Sequence, residues 1–190
     1  MTKSISLKYL SVIILFSICN LTCFAQMVQK LEGEASLGFT VPLGNYHNGD
    51  KLAGPDFGLE VRYNIPHTAW DCGLALNVST AVYKFDESPK TDWYWEQSNR
   101  SINIMAVGDY NFKQGSKFNP YLGMGLGLCS YDAVNEVLYK ESGIAFVFRP
   151  RIGIELFRHL RLAVFTNITK VGHSNFGVSI GGVIGGRPKK

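Results

Sequence analysis

Eight charged residues carry whatever chemistry this chain has. Glu32, Glu34, Glu60, Arg62, Asp109, Arg149, Arg151 and Glu155 each lie next in sequence to apolar residues that recur at every second position. A strand sends alternate side chains to opposite faces, so these eight share the face away from the apolar row. Carboxylates and guanidiniums so placed can pair into a buried ionic network, or, imperfectly paired, can pass protons or small ions. Catalytic spacings are absent. His173 and Ser174 are adjacent, hence on opposite faces of any strand, and His47, His67 and His159 have no serine–acid set. Neither a phosphate-binding glycine loop nor a zinc spacing occurs, so no cofactor or metal is expected. Trp93-Tyr94-Trp95, in the longest expected loop, could dock a partner or sugar, or lie back on a rim.

The elements that must position these residues are strands. Trp70 to Val82 alternates Trp70, Cys72, Leu74, Leu76, Val78, Thr80 and Val82 with small or polar Asp71, Gly73, Ala75, Asn77, Ser79 and Ala81. About ten tilted residues cross a bilayer's hydrocarbon core, and this run is long enough. The rule repeats over 31–41, 57–65, 101–112, 120–131, 144–156, 160–169 and 176–184. Glycines 123, 125 and 127 on an inner row leave room for larger inward side chains. Pro150, on an outer row and unable to donate to a ladder, predicts a bulge. Connections alternate short and long until the last. Short turns belong on the periplasmic side, and Tyr63, Trp70, Tyr110, Phe112 and Phe157 gather at that end as an interfacial girdle. The fold class expected is all-β: an eight-stranded antiparallel up-and-down transmembrane β-barrel, preceded by a cleaved signal peptide. An eight-stranded barrel is just wide enough for side chains to fill, so the eight charges are expected to plug the lumen.

The leader is read from Lys3 and Lys8, the apolar run 10–19, and Cys23-Phe24-Ala25 before Gln26. Residues 1–25 are expected to be removed, leaving one domain over 26–190. The formal charge of +4 then loses two lysines and falls to +2, too small a surplus to imply nucleic acid. Two of the four cysteines leave with the leader; Cys72 and Cys129 lie on opposite parities, which argues against a disulfide. Mean hydropathy is near zero, as one apolar and one polar face should give.

The stretches GEASLGFTVPLGNY, FGLEVRYNIP, NPYLGMGLGL and RPRIGIELF resemble the OmpA/OmpX-like small outer-membrane β-barrel family of Gram-negative bacteria. That resemblance implies integral residence in the outer membrane, contact with its lipid and lipopolysaccharide, and handling by the barrel-assembly machinery. The terminal GGVIGGRPKK departs from the final aromatic that family members often present to that machinery. Lys84, Arg100 and Lys170 fall on the lipid-facing parity near outer strand ends, where they could snorkel to lipopolysaccharide phosphates. The function expected is structural or surface-interacting: envelope integrity, adhesion, or loop-mediated binding of an extracellular ligand. Alternatives are a lipid A-modifying enzyme, a small-ion pore, and a soluble lipocalin-like carrier with the apolar row turned inward. Against the enzyme, the lipid A deacylase family separates its His and Ser by one residue, and this chain does not.

Overall fold

A computed structural model describes residues 29–85, 95–133 and 141–185. Nine strands form one sheet: β1 (Leu31–Pro42), β2 (Asp50–Leu52), β3 (Gly54–Asn64), β4 (Trp70–Phe85), β5 (Trp95–Asn111), β6 (Phe118–Ala133), β7 (Ser142–Leu156), β8 (Leu160–Asn167) and β9 (Asn175–Gly185). Eight of them, all but β2, are the staves of a closed barrel. Each stave pairs antiparallel with its sequence neighbour, and β9 returns to β1 through eleven partners from Glu32↔Gly185 to Pro42↔Asn175. Closure leaves no free edge, the condition for strands to cross hydrocarbon. No helix among the described residues is long and apolar enough to cross.

The two faces separate by residue type as the alternation requires. Leu37, Phe39, Leu59, Val61, Leu74, Ile104, Leu128, Phe146 and Ile152 are exposed on the outside, while Glu60, Arg62, Asn77, Asn103, Asp109 and Arg151 are buried inside. A soluble barrel would show the reverse, which removes the lipocalin-like alternative. The lumen is not polar throughout. Ala75, Met105, Val107, Cys129 and Val147 form an apolar cluster on the inner wall of β4 to β7. Cys72 faces outward and Cys129 inward, and both are free.

Three expectations needed correction. The β4–β5 hairpin continues beyond the membrane segment, with pairs out to Phe85↔Trp95, so residues 95–99 are strand and not loop. Glu96 to Arg100 lack alternation because, outside hydrocarbon, no apolar outer row is demanded and backbone pairing suffices. Within the expected loop 42–54, Asp50–Leu52 forms β2 and pairs with β4 at Lys84, Tyr83 and Val82. Third, Pro150 makes no bulge. The β6–β7 register runs unbroken through Met124↔Pro150. On the other side the β7–β8 ladder stops at Arg151↔Phe165 and resumes in the same register at Phe148↔Ile168. Proline's missing N–H is absorbed as one lost ladder bond, with no extra residue inserted.

Candidate functional site

The inner row of β1 and β3 brings Glu32, Glu34, Glu60 and Arg62 together, because Glu32 pairs with Arg62 and Glu34 with Glu60 in the strand register. Arg62 donates to Glu34 Oε2 at 2.7 Å, Glu60 Oε1 at 3.0 Å and Glu32 Oε2 at 3.1 Å. From the opposite wall Arg151 reaches Glu60 at 2.5 and 2.7 Å and Asp109 at 2.8 and 2.9 Å. Two strands supply that second bridge across a third. Asp109 and Arg151 flank Gly123 in register, and a Cβ there would overlap the Asp109 carboxylate. The inner glycine is what lets the pair meet.

Arg161 joins the same carboxylates from β8. It donates to Glu34 Oε2 at 3.2 Å and to Asp109 Oδ2, and its guanidinium stacks 3.6 Å from the Tyr121 ring centroid. Arg161 is not among the eight charges expected on the inner face, although alternation with Leu162 and Val164 gives it inward parity. Asp56 was missed because β3 starts at Gly54, three residues before the expected start. Arg149 lies 3.7 Å from Asp56 and stacks 3.7 Å from the Phe165 ring. Asn77 donates to Asp56 at 2.8 Å. Glu155 is buried at the short-turn end and makes no ion pair among the described residues, so seven of the eight expected charges meet in pairs.

Amide layers lie above and below these charges. Toward the short turns, Asn64 donates to Glu32 at 2.8 Å, Gln114 to Asn64 at 2.9 Å, Asn111 to Asp71 at 2.7 Å and Asn119 to Asn111 at 3.0 Å. Toward the long loops, Asn103 donates to Asn77 at 3.1 Å and Asn167 to Asn175 at 2.8 Å. Buried amides must find partners, and here these N–H groups find carboxylates or one another. At the outer mouth, Tyr46, Tyr83 and Phe85 pack together and His173 lies 4.8 Å from the Tyr131 ring. Gly172 sits in the left-handed region at φ 82°, and a Cβ there would strike the Tyr46 ring. Burial, its largest cause, holds the His173 imidazole below its ordinary pKa. A small hollow of about 30 Å³ lies beside Glu60, Tyr121 and Arg151.

The remaining expected residues divide. Lys84 stands in register with Asp50 and Glu96. Arg100 is exposed and clasps Asp132 at 2.6 and 3.1 Å. Lys170 is exposed in the β8–β9 connection. The structure does not gather these three. Trp93 and Tyr94 lie outside the described residues, while Trp95 opens β5. His173 and Ser174 lie in the β8–β9 connection and not on a strand, and their side chains part there. His173 Nδ1 faces Ser101 Oγ at 3.4 Å inside the barrel, while Ser174 Oγ bonds the backbone of Thr169. Among the described residues no group of three or more His, Cys, Asp or Glu could hold a metal ion. A hollow of about 930 Å³ lies on the lipid-facing wall between Leu37, Phe57, Ile152 and Val178, where acyl chains belong.

Comparison with known proteins returns fold likeness and no sequence family. No family model matches the chain, and no curated protein does. Among solved structures, Neisserial surface protein A superposes with a TM-score of 0.55 at 14% identity, over 83% of this chain and 97% of that one. Ail, the attachment invasion locus protein of Yersinia pestis, gives 0.49 at 15% identity, over 84% and 98%. The N-terminal β-barrel domain of Pseudomonas aeruginosa OprF gives 0.47 at 13%, over 83% and 100%. Closure of eight staves, the apolar outer wall and the polar lumen define an integral outer-membrane β-barrel. Its fold is that of the small eight-stranded OmpA/OmpX-like type from Gram-negative bacteria.

Proposed function

We propose that this barrel is a structural and surface-interaction protein of the outer membrane: the lumen is a stabilising plug, and binding takes place at the loops. One observation carries the reading. Arg62, Arg151 and Arg161 knit Glu34, Glu60 and Asp109 into a layer spanning the lumen, with a hollow of only about 30 Å³ beside it. An ion crossing there would have to break several buried, charge-assisted hydrogen bonds. The same reading takes the chain to be no enzyme, since the Ser101–His173 contact is buried and offers no access to substrate. Lys84, Arg100 and Lys170 are assigned to lipopolysaccharide phosphates in the outer leaflet; neutralising all three should reduce lipopolysaccharide retained through purification.

Planar-bilayer recording tests the plug. The folded protein should be electrically silent, and replacing Arg62 and Arg151 by serine should introduce discrete conductance steps. Steps in the unaltered protein would sink the reading. The loop role is tested on cells by replacing 43–53 with a four-residue turn. Surface binding or envelope resistance should fall to that of a deletion strain while the barrel still folds. Lipid A masses that differ with and without the gene would instead support the enzyme.

A further inference from the structure

Among the described residues the two ends of the barrel differ in charge, and the short-turn end has no acidic counterpart outside the lumen. Among the described residues, the long-loop end carries Asp50, Glu96, Asp132 and Glu141 against Lys51, Lys84, Arg100 and Lys170. The short-turn end carries Lys30, Lys113, Lys117 and Arg158 with His67 and His159, and its turns 65–69, 112–117 and 157–159 contain neither Asp nor Glu. Hydrogen bonds tie these segments into one rim. Asn64 N donates to Lys30 O at 2.8 Å, Asn111 N to Ala69 O at 2.8 Å, Phe157 N to Lys117 O at 2.7 Å and Val183 N to His159 O at 2.7 Å. None of the four cationic side chains makes an ion pair among the described residues, and Arg158 Nε is shielded from water without an acceptor. Trp70, Phe112, Phe118 and Phe157 are exposed outward at the same level.

The β7–β8 turn adds an independent sign that this rim has a ligand. Phe157 and Arg158 both sit in the left-handed region, at φ 55° and 67°. A hairpin turn of this hand favours Asn-Gly, and Phe and Arg hold it at a conformational cost. The hairpin would form more readily without them. What they add is an aromatic ring and a guanidinium at the membrane boundary.

We propose that this rim binds the phosphates of anionic phospholipids in the periplasmic leaflet, the aromatics lying at headgroup depth and the cations beneath them. The placement rests on short turns facing the periplasm. Lipid fits better than an acidic protein because the cations are interspersed with exposed aromatics around the rim, as in an interface belt.

The test uses the folded chain in nanodiscs of phosphatidylcholine with one-fifth phosphatidylglycerol, comparing spin-labelled probes of each lipid. Phosphatidylglycerol should associate about three- to fivefold more strongly than phosphatidylcholine, the scale of one cation near an anionic surface. High salt should shrink that preference. A variant with Lys30, Lys113, Lys117 and Arg158 all replaced by glutamine should lose it while keeping heat-modifiable mobility. The Phe157→Asn/Arg158→Gly variant should unfold at higher denaturant yet show less than half the preference. Equal association of the two lipids with the unaltered protein would overturn the proposal, as would a preference that either variant leaves intact. Binding of soluble polyglutamate without any lipid preference would overturn it in favour of an acidic protein partner. A membrane-impermeant maleimide should label Ser116→Cys only in permeabilised cells. Labelling in intact cells would put the rim at the outer leaflet and overturn both placement and proposal.

Discussion

Substituting alanine at two neighbouring glycines of β6 separates the ionic layer from the general architecture. Gly123 and Gly125 share a strand and the inner row. A Cβ at 123 would lie 2.7 Å from Asp109 Cγ and overlap its Oδ1, and the backbone oxygen of Gly108 at 2.8 Å blocks retreat. Asp109 must then leave Arg151 and Arg161, and stripping a buried ion pair costs about 3–5 kcal/mol. Alanine returns about 0.5–1 kcal/mol over glycine through backbone entropy. The net for Gly123→Ala is a loss of about 2–4 kcal/mol by the same magnitudes. At 125 a Cβ meets Met105 Sδ at 3.2 Å, Val107 Cγ1 at 3.3 Å and Arg149 Cβ at 3.5 Å. Methionine is flexible and can give way, so Gly125→Ala should stay within about 1 kcal/mol of the unaltered protein. Urea titration of bilayer-embedded barrel, read by gel mobility and tryptophan fluorescence, measures both. Equal stabilities for the two variants would refute the reasoning, since they differ chiefly in whether an ionic contact is displaced.

Arg161→Met removes the Glu34 and Asp109 contacts and the Tyr121 stack, and should cost about 3 kcal/mol in the same titration. Pro150→Ala should restore a donor to the β7–β8 ladder, visible as a slowly exchanging amide at 150; rapid exchange there would mean the ladder is broken for another reason. His173 gives a pH dependence at the outer mouth. Its pKa is depressed by burial, so below the unfolded value of about 6.5 the unfolded mouth binds the extra proton and stability falls as pH falls. His173→Gln should flatten the difference in protease resistance of the long-loop end between pH 7 and pH 5.

Much of this could be read from the sequence because the bilayer imposes a simple rule. A strand with hydrocarbon on one side and a polar lumen on the other must alternate, and so Leu74 and Asn77, or Ile152 and Arg151, declare their faces without any contact being known. That rule set the number of staves, their antiparallel order, the inward parity of residues such as Glu60 and Arg151, and the girdle at Trp70 and Tyr110, whose rings meet edge-on at 5.0 Å; Arg161 and Asp56 were not among the charges it picked out. It failed where hydrocarbon stops. The extension of β5 through Glu96 and Gln97, and the short β2, are held by backbone pairing, which leaves no periodic signature. It also could not say which charges meet. Arg151 and Glu60 are 91 residues apart and Arg161 and Glu34 are 127 apart. Only closure of the cylinder, with its particular register and a glycine at 123, brings those side chains to a common layer. The strained Phe157-Arg158 turn likewise emerges only in the structure, where both residues take positive φ. Alternation is a local property, set by the solvent on each face, whereas pairing across the lumen depends on every stave at once.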